Sequence, residues 1–408
     1  MKYLLLITFC LTIMLTGCKQ SGSNTNNNIK ITQNIQNTEL ICGADQTELY
    51  FELLKGKNIC IVTNQTGTIG DRHLPDSLYS AGFKIKAIFA PEHGFRGHGE
   101  AGEHISNSID EQTGIQIISL YGRNYKPVKE DLQDMDLMIF DIQDVGVRFY
   151  TYISTLHYVM EACAENNITL LILDRPNPNG FYVDGPSLDL KFQSFIGMHP
   201  VPVVYGMTIG EYAQMLNGEK WLGNGLECNL IIISVKNYTH NTLYELPIRP
   251  SPNLQSQEAI YLYPSVCLFE GTVMSVGRGT NSPFEIIGHP NYPDTSFSFT
   301  PVSLEGFSKN PKFKNKKCYG LNLKNFASTI VTTDKKIVLS WLIDSYNALN
   351  LGEKFFEKNL FDKLAGTDKL RKQIITGVSE DEIRESWEQD IEKFKEIRKK
   401  YLLYPDFE

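Results

Sequence analysis

The sequence predicts an α/β fold built on a doubly wound, mainly parallel β-sheet. Short apolar runs alternate with helix-like segments along the first half of the chain, and each run is apolar at most of its positions. Runs of this kind are typical of strands covered on both faces, and their alternation with helices favours parallel pairing. The chain has 408 residues, which is more consistent with two domains than with one or three.

The elements follow one another in a regular order. A helix is predicted over 47–54, ahead of the first strand. Five apolar runs are predicted to be strands, and a sixth can extend the same sheet: 58–63, 85–90, 115–120, 136–141, 169–174 and 229–235. Helices are predicted between them at 74–81, 129–135 and 152–166. The last of these has an apolar stripe formed by Ile153, Leu156, Val159, Met160 and Cys163.

Composition excludes several classes of protein. Apolar residues make up 42% of the chain and charged residues 21%, as in ordinary globular proteins, which excludes wholesale disorder. The 31 glycines and 18 prolines are too few for a collagen-like or low-complexity chain. The formal net charge is -8, which argues against a nucleic-acid partner because duplex binders usually present a basic face.

The N-terminus has the anatomy of a signal peptide. Lys2 precedes an apolar run over 3–15, which is too short to span a membrane comfortably. The run ends in Leu15-Thr16-Gly17-Cys18, which resembles a bacterial lipobox. The resemblance implies that 1–17 is a lipoprotein signal peptide and that the thiol of Cys18 is acylated after cleavage. The alternative is a plain signal peptide with an incidental cysteine.

The residues after Cys18 are predicted to form a flexible tether over 18–45. They are rich in Asn, Ser, Thr and Gln and have almost no apolar periodicity. We therefore expect a folded part that is lipid-anchored in the cell envelope. The sequence Lys19-Gln20-Ser21 is not acidic, which favours the periplasmic side over the cell surface.

Several familiar motifs are absent or out of context. No two cysteines are spaced as C-x-x-C, so a zinc or thioredoxin-type site is disfavoured, and Cys60 and Cys163 are predicted to be buried thiols. Residues 97–102 match G-x-G-x-x-G, but they follow the second strand and do not join a strand to a helix, which disfavours a dinucleotide cofactor. No G-x-S-x-G occurs, so a nucleophile-elbow hydrolase has no support. No cofactor is expected.

Polar side chains follow each of the first five predicted strands. The carboxyl ends of parallel strands lie along one edge of the sheet, where ligands bind, so these residues are expected to converge on one crevice. The alternative is that they belong to ordinary polar loops. The groups that carry acids, amides, a histidine and arginines are Asn64, Glu92 and His93, Arg123, Asp141 with Asp144 and Arg148, and Asp174 with Arg175 and Asn177.

Glu92 is the main candidate for a catalytic residue. It follows a buried strand directly, between Pro91 and His93. Restricted access of water favours the neutral form of a carboxyl, which can then act as a general acid near neutral pH. Glycoside hydrolysis needs such an acid and a second carboxylate as base or nucleophile. The candidates for the second carboxylate are Glu270, Asp141, Asp144 and Asp174.

Three arginines could bind an anionic substrate through charge-assisted hydrogen bonds: Arg148, Arg175 and Arg278. Each could instead form an ion pair with a neighbouring carboxylate. The segment that contains Glu92, His93, His98, Glu103 and His104 leaves a second hypothesis open, a metal-dependent hydrolase. It has no H-E-x-x-H pattern, so no metal ligands are assigned.

The second half of the chain differs from the first in its local composition, with turn-rich and glycine-rich stretches. Ser251-Pro252-Asn253 is a turn-rich junction, which places a domain boundary between 46–252 and 253–408. Glycine-rich stretches around Glu270 and Arg278 can bring the backbone close to a ligand. A helix near the C-terminus, with Trp387, Ile391, Phe394, Ile397 and Tyr401 on one face, is interpreted as structural packing.

Six strings in the chain resemble the DUF1343 family, whose members include NamZ-type exo-β-N-acetylmuramidases, a family of glycoside hydrolases. The strings are FAPEHGFRG (89–97), DIQDVGVRFYTYI (141–153), LDRPNPNG (173–180), VYGMTIGEYA (204–213), PSPN (250–253) and FEGTVMSVGRGT (269–280). The resemblance runs from about residue 48 to the final YLLYP (401–405).

The resemblance implies removal of N-acetylmuramic acid from the non-reducing end of peptidoglycan fragments. It also implies a Rossmann-like catalytic domain, a smaller C-terminal α+β domain and a cleft between them. The family's catalytic glutamate maps to Glu92, and the glutamate of EGT maps to Glu270. With Asp144, these are the predicted catalytic residues. The predicted substrate-binding residues are Asn64, His93, Asp141, Arg148, Arg175, Asn177 and Arg278.

Such a substrate matches these residue types. The lactyl carboxylate of N-acetylmuramic acid favours one or two arginines in the pocket of an otherwise acidic protein, and Asn64, Asn177 or backbone amides could hydrogen-bond its acetamido group. The expected partners are muramyl saccharides and, through the anchor, a membrane. A third hypothesis is a lipoprotein that binds sugars without cleaving them. The sequence leaves the oligomeric state open.

Overall fold

A seven-stranded sheet forms the centre of the computed structural model, which describes residues 39–96 and 107–408. The strand order is β5-β6-β4-β1-β7-β8-β9. The strands are β1 (Asn58–Thr63), β4 (Lys84–Ala90), β5 (Ser108–Ile109), β6 (Gln116–Ser119), β7 (Leu137–Asp141), β8 (Thr169–Leu173) and β9 (Leu230–Ile233). Two further short strands, β2 (Thr68–Ile69) and β3 (Arg72–His73), form a separate antiparallel pair.

The sheet is parallel except at one edge. All neighbouring strands from β6 to β9 pair in parallel, and only β5 pairs antiparallel to β6. Counted along the chain, the six parallel strands have the order 3-2-1-4-5-6, which is the order of a Rossmann fold. The predicted doubly wound α/β fold is therefore confirmed, including the sixth strand.

The central strands are buried on both faces because alternate residues enter two different apolar clusters. Cys60, Val62 and Phe140 belong to one cluster, whereas Ile59 and Ile61 belong to the other. Helices α1 (Thr47–Leu54) and α2 (Leu74–Ser80) cover the second face. Helices α3 (Tyr152–Glu165) and α4 (Ile209–Gly218) cover the first. The central strands β1, β7 and β8 are therefore apolar along most of their length, as in other sheets with helices on both sides.

One segment that was predicted to be a helix is not helical along its full length. The segment expected to be helical over 129–135 forms only a short 3-10 turn, Lys129–Leu132. Asp134 has a φ angle of 59°, a left-handed conformation that cannot continue a right-handed helix. The helical periodicity in this segment was too short to distinguish a single turn from a helix.

The C-terminal part adds a small antiparallel sheet and six helices within the described residues. Its strands β10 (Ile286–His289), β11 (Ser298–Phe299) and β12 (Cys318–Asn322) have the order β10-β12-β11. The helices are α5 (Gln257–Val266), α6 (Phe326–Thr329), α7 (Ser340–Leu349), α8 (Lys358–Ala365), α9 (Lys369–Ile375) and α10 (Glu380–Arg398). This arrangement confirms the smaller α+β part.

Helix α10 packs as the sequence predicts. Ser379 and Glu382 form a capping box at its N-terminus, and Trp387, Ile391 and Phe394 are buried in the same apolar cluster as α3 and α4. Residues Glu39–Glu408 cluster into a single compact unit. The predicted boundary between 252 and 253 stays a prediction.

The folded part begins earlier than the predicted tether allows. Ile41 pairs with Lys236, and the backbone N–H of Gly43 donates to the carbonyl of Asp174 at 2.9 Å. A Cβ atom at position 43 would lie 2.3 Å from the carbonyl oxygen of Ile233, so only glycine fits this approach. Residues 41–45 are therefore anchored to the sheet. Residues 1–38, with the predicted signal peptide, Cys18 and most of the tether, lie outside the described residues.

The cysteines of the described part are all free and buried: Cys42, Cys60, Cys163, Cys228, Cys267 and Cys318. This confirms the prediction for Cys60 and Cys163. Across residues 39–96 and 107–408, we find no helix that combines the length and the apolar character needed to cross a membrane.

Arg148 connects distant parts of the fold. Its side chain is fully buried, and Nη1 donates to the carbonyls of Pro186 at 2.8 Å and Val201 at 2.7 Å. Nη2 donates to the carbonyl of Leu364, in α8, at 2.9 Å. Burial lowers the pKa of Arg148, and no carboxylate in the described part forms an ion pair with it. Three backbone carbonyls therefore stabilise the charge in place of an acidic side chain.

We expect the substitution Arg148→Met to lower the free energy of unfolding by about 2–4 kcal/mol, because it leaves three buried carbonyls without donors. Equilibrium denaturation measures this change. Arg72→Met is the control, since Arg72 is exposed and its side chain bonds to the hydroxyl of Ser80, which is also exposed, and it should change stability by less than about 0.5 kcal/mol. Equal stability of Arg148→Met and wild type would contradict a structural role for Arg148.

Candidate active site

The turn after β4 presents Glu92 to a cavity. The last four residues of β4 are buried, and Pro91 follows them. His93 and Gly94 have φ angles of 71° and 76°, and the backbone N–H of Gly94 donates to the carbonyl of Pro91 at 3.0 Å. This tight turn leaves Glu92 half-buried and His93 buried, and both line the cavity.

The cavity has a volume of about 530 Å³. This lies in the range of roughly 300–1,000 Å³ that is usual for small-molecule sites. Its walls come from the C-terminal edge of the sheet and from the C-terminal part. The lining residues are Glu92, His93, Tyr121, Phe149, Tyr150, Thr151, Tyr152, Ile196, Ser251, Asn253, Leu254, Tyr263, Cys267, Glu270, Arg278, Phe284, Phe307, Ser308, Asn310, Leu360 and Leu364.

The segment between β7 and α3 forms one wall and contacts Glu92. Four consecutive residues of this segment, from Phe149 to Tyr152, line the cavity directly after the buried Arg148. The hydroxyl of Thr151 donates to Oε2 of Glu92 at 2.8 Å. This hydrogen bond fixes one carboxylate oxygen of Glu92.

Tyr121, which follows β6, is a second neighbour of Glu92. Burial raises the pKa of Tyr121, and so do the charge of Glu92 and a side-chain hydrogen bond with it. Tyr121 therefore stays a neutral phenol beside the carboxyl group. Thr151 and Tyr121 together hold Glu92 from two different loops at the edge of the sheet.

Glu270 and Arg278 form an ion pair on the C-terminal side of the cavity. Arg278 Nε donates to Glu270 Oε1 at 2.6 Å, and Nη2 donates to Oε2 at 3.3 Å. The guanidinium carbon lies 5.0 Å from the ring centre of Phe284, which supports it through a cation–π contact. Nη1 of Arg278 makes no hydrogen bond within the described residues, so this edge can bind a ligand.

The structure therefore brings together four of the predicted site residues: Glu92, His93, Glu270 and Arg278. The other six predicted residues do not line the cavity. Arg148 was predicted to bind substrate, but its guanidinium is occupied by backbone carbonyls. An arginine inside the apolar string Val147-Arg148-Phe149 is more consistent with such a buried position.

Asp141 and Arg175 were also predicted to bind substrate, and they form a buried ion pair instead. Arg175 Nε and Nη2 donate to the two oxygens of Asp141 at 2.5 and 3.0 Å. A further bond from Nη2 reaches the carbonyl of Thr68 at 2.9 Å. This pair connects the ends of β7 and β8 and is the ion-pair alternative considered from the sequence.

Asp144, a predicted catalytic residue, is buried below the cavity wall. Its Oδ2 accepts hydrogen bonds from the hydroxyl of Tyr205 and from the backbone N–H of Gly146. Burial raises the pKa of Asp144 to about 6, although both hydrogen bonds lower it. These contacts hold Asp144 in the turn after β7, and its side chain does not line the cavity.

The two predicted amides have structural contacts as well. Nδ2 of Asn64 donates to the hydroxyl of Tyr152 at 2.8 Å, so Asn64 positions a residue of the cavity wall. Nδ2 of Asn177 donates to the carbonyl of Met207 at 2.8 Å. Both side chains are buried, and neither lines the cavity.

Asn253 is an important residue that the predicted site omitted. Its Nδ2 donates to the carbonyl of Phe307 at 2.9 Å, whereas its buried Oδ1 has no hydrogen-bond partner among the described residues. Since Asn253 lines the cavity, this oxygen can accept a hydrogen bond from a ligand. The sequence interpretation used Asn253 in a domain junction and in the string PSPN that carries the family resemblance, but assigned it no contact with substrate.

No group of three His, Cys, Asp or Glu side chains is placed to hold a metal ion within residues 39–96 and 107–408. His98, Glu103 and His104, on which the metal hypothesis partly rested, lie outside the described residues.

Two family models match this chain over most of its length. Residues 59–258 match the N-terminal part of the exo-β-N-acetylmuramidase NamZ, and residues 261–404 match its C-terminal part. The peptidoglycan β-N-acetylmuramidase NamZ of Bacillus subtilis (strain 168) is 38% identical over 376 residues, covering 87% of this chain and 89% of the relative.

Solved structures show the same relationship. The DUF1343 family protein BF0379 of Bacteroides fragilis NCTC 9343 is 51% identical, with a TM-score of 0.84 over 90% of this chain and 100% of the other. A second such protein from that strain, BF0371, is 27% identical, with a TM-score of 0.74 over 90% of this chain and 99% of the other. The resemblance found in the sequence strings is thereby confirmed, and this chain belongs to the NamZ exo-β-N-acetylmuramidase family of DUF1343 proteins.

Proposed function

We propose that this protein is an exo-β-N-acetylmuramidase that removes N-acetylmuramic acid from the non-reducing end of peptidoglycan fragments. The observation that carries the proposal is a sugar-sized cavity lined by Glu92 and by the Glu270–Arg278 pair. The names of the Bacillus subtilis relative and of the matching family models describe this activity.

Glu92 is proposed as the general acid. In its protonated form it donates a proton to the glycosidic oxygen while the bond between that oxygen and the anomeric carbon breaks. The leaving sugar then departs as a neutral alcohol, and water adds to the anomeric carbon, either directly with the second carboxylate as its base or after that carboxylate has formed a covalent glycosyl ester. Thr151 and Tyr121 hold the carboxyl group in place, which reduces the entropy lost in reaching the transition state.

Glu270 is proposed as the second carboxylate. A positive charge develops on the sugar ring in the transition state of glycoside hydrolysis, and a nearby carboxylate stabilises it. The ion pair with Arg278 fixes both oxygens of Glu270, so the carboxylate is already oriented before substrate binds. The other candidates for the second carboxylate, Asp141, Asp144 and Asp174, do not line the cavity.

Arg278 and Asn253 are proposed to recognise the substituents of the muramic sugar. The Nη1 edge of Arg278 can donate charge-assisted hydrogen bonds to the lactyl carboxylate. Oδ1 of Asn253 can accept a hydrogen bond from the acetamido N–H group, which satisfies an otherwise unpaired buried oxygen. Both contacts favour N-acetylmuramic acid over a sugar without these groups.

The first test is the release of free N-acetylmuramic acid from the disaccharide of N-acetylmuramic acid and N-acetylglucosamine by protein that lacks residues 1–17.

The substitution Glu92→Gln should lower kcat/KM by about 10²–10⁴-fold, because the leaving alcohol loses its proton donor. A dinitrophenyl muramic glycoside, whose leaving group needs no proton, should lose less than about tenfold. The matched control is Glu48→Gln on the exposed face of α1. Wild-type turnover of Glu92→Gln on the disaccharide would contradict the role of Glu92.

The second test distinguishes Glu270 from Glu92. Glu270→Gln should lower kcat by at least about 10²-fold with both the disaccharide and the dinitrophenyl glycoside, because both reactions develop positive charge on the ring. Steady-state kinetics with the two substrates measure this effect. If only KM rises and kcat is unchanged, Glu270 orients Arg278 and is not the second carboxylate.

We also propose that the protein is lipid-anchored at Cys18 on the periplasmic side of the cell envelope. Support comes from the sequence Leu15-Thr16-Gly17-Cys18 after an apolar run. The substitution Cys18→Ser should abolish incorporation of labelled fatty acid and release the protein from membranes. Cys10→Ser, within the predicted signal peptide, is the control and should leave both unchanged. Labelling that persists in Cys18→Ser would rule out this anchor.

A further inference from the structure

Four aromatic side chains form a half-buried shelf beside the cavity: Tyr121, Tyr125, Tyr158 and Phe195. The ring centres of Tyr125 and Phe195 are 4.1 Å apart. The ring centre of Tyr121 lies 5.8 Å from that of Tyr125 and 5.9 Å from that of Phe195. The ring centre of Tyr158 lies 6.4 Å from that of Tyr125 and 6.4 Å from that of Phe195. The shelf therefore combines residues from three separate segments into one half-buried aromatic surface.

The shelf is held in a fixed position by its surroundings. Phe195 lies in a tight turn in which Ser194 and Gly197 exchange two backbone hydrogen bonds of 2.9 Å. Lys126, next to Tyr125, bonds to Glu161 at 3.0 Å and to Glu165 at 2.7 Å, and both acids belong to α3. Because these contacts order the rings in advance, little entropy is lost when a ligand binds them.

The shelf is continuous with the active-site cavity. Tyr121 belongs to the shelf and also lines the cavity, and Ile196 lines the cavity next to Phe195. Tyr121 also lies beside Glu92 in the cavity wall, and the charge of Glu92 raises the pKa of its phenol. The shelf thus begins at the side chain that contacts the proposed general acid.

The position of Tyr121 beside Glu92 determines which sugar the shelf faces. The general acid must lie beside the glycosidic oxygen, between the muramic sugar and the sugar that leaves. The cavity holds the muramic sugar under the proposed function. Tyr125 and Phe195 contact Tyr121 but do not line the cavity, so the shelf begins beside Glu92 and lies outside the space assigned to the muramic sugar, on the side of the leaving sugar.

We propose that the shelf is a binding subsite for the leaving N-acetylglucosamine residue of the glycan, with Phe195 and Tyr125 as its stacking surface. The apolar face of a pyranose ring packs against an aromatic ring and leaves its hydroxyl groups in water. This inference rests on the proposed function, because it concerns the same cleavage reaction. It adds the recognition of the sugar that follows the scissile bond.

Two substrates with different leaving groups test the subsite. One is the disaccharide of N-acetylmuramic acid and N-acetylglucosamine, and the other is the trifluoroethyl β-glycoside of N-acetylmuramic acid, whose leaving group has no ring. In Phe195→Ala, kcat/KM for the disaccharide should fall about five- to tenfold, mainly through KM. For the trifluoroethyl glycoside it should stay within twofold of wild type.

Further variants separate stacking from a structural effect. Tyr125→Leu keeps an apolar side chain without a ring and should show the same selective loss, whereas Phe195→Trp should retain wild-type kinetics on the disaccharide. Tyr79→Ala, which removes an exposed ring on α2, is the matched control and should change neither substrate. Thermal unfolding identifies variants that fold as wild type does.

Each outcome has one interpretation. An equal loss on both substrates in folded Phe195→Ala and Tyr125→Leu, or no loss on the disaccharide, would overturn the subsite and leave the proposed function intact. If wild-type protein hydrolyses neither substrate, the proposed function fails and the subsite fails with it.

Discussion

The buried guanidinium of Arg148 holds together the two sides of the active-site cavity. The segment that follows it supplies four cavity residues, including Thr151, which bonds to Glu92. Through Nη2, Arg148 also contacts the carbonyl of Leu364, which lines the cavity from α8. A cation with five donors can bridge carbonyls that are far apart in sequence, whereas a lysine ammonium lacks the planar geometry to do so. The position of Glu92, the proposed general acid, relative to the C-terminal part therefore depends on a residue that does not line the cavity.

The usual ligand site of a Rossmann order lies where the strand order reverses, between β1 and β7 in this sheet. Here that crevice is filled by side chains. Asn64 accepts hydrogen bonds from Thr66, and the hydroxyl of Thr66 accepts one from the backbone N–H of Gln143 at 2.9 Å. Asp141 and Arg175 close the adjacent gap between β7 and β8. The candidate site lies instead beside β4 and β6. Glu92 follows β4 and Tyr121 follows β6, and both side chains line the cavity.

Some polar side chains at this edge of the sheet bond to one another and others face the cavity, and this contrast explains what the sequence could and could not predict. Apolar runs predicted the central strands, including the sixth, because burial on both faces leaves a clear pattern. The polar residues after these strands do meet at one edge, as expected for parallel strands. The pattern could not show which of them bond to one another, as Asp141 does with Arg175, and which face a cavity, as Glu92 does. The partners of Asn253 and Arg148 lie in segments distant in sequence, so only the folded structure reveals them.

The balance of charge in the cavity explains how an acidic protein can bind an acidic sugar. The chain has a formal net charge of -8, so an anionic substrate meets unfavourable long-range electrostatics. Glu92 and Glu270 add two carboxyl groups next to the place where that substrate must bind. Arg278 offsets the charge of Glu270, and its Nη1 edge, which makes no hydrogen bond within the described residues, is available to a substrate carboxylate. The Glu270–Arg278 pair is therefore the feature by which an otherwise acidic cavity would accept the lactyl carboxylate, because one guanidinium orients a carboxylate of the protein and presents its remaining edge to a carboxylate of the substrate.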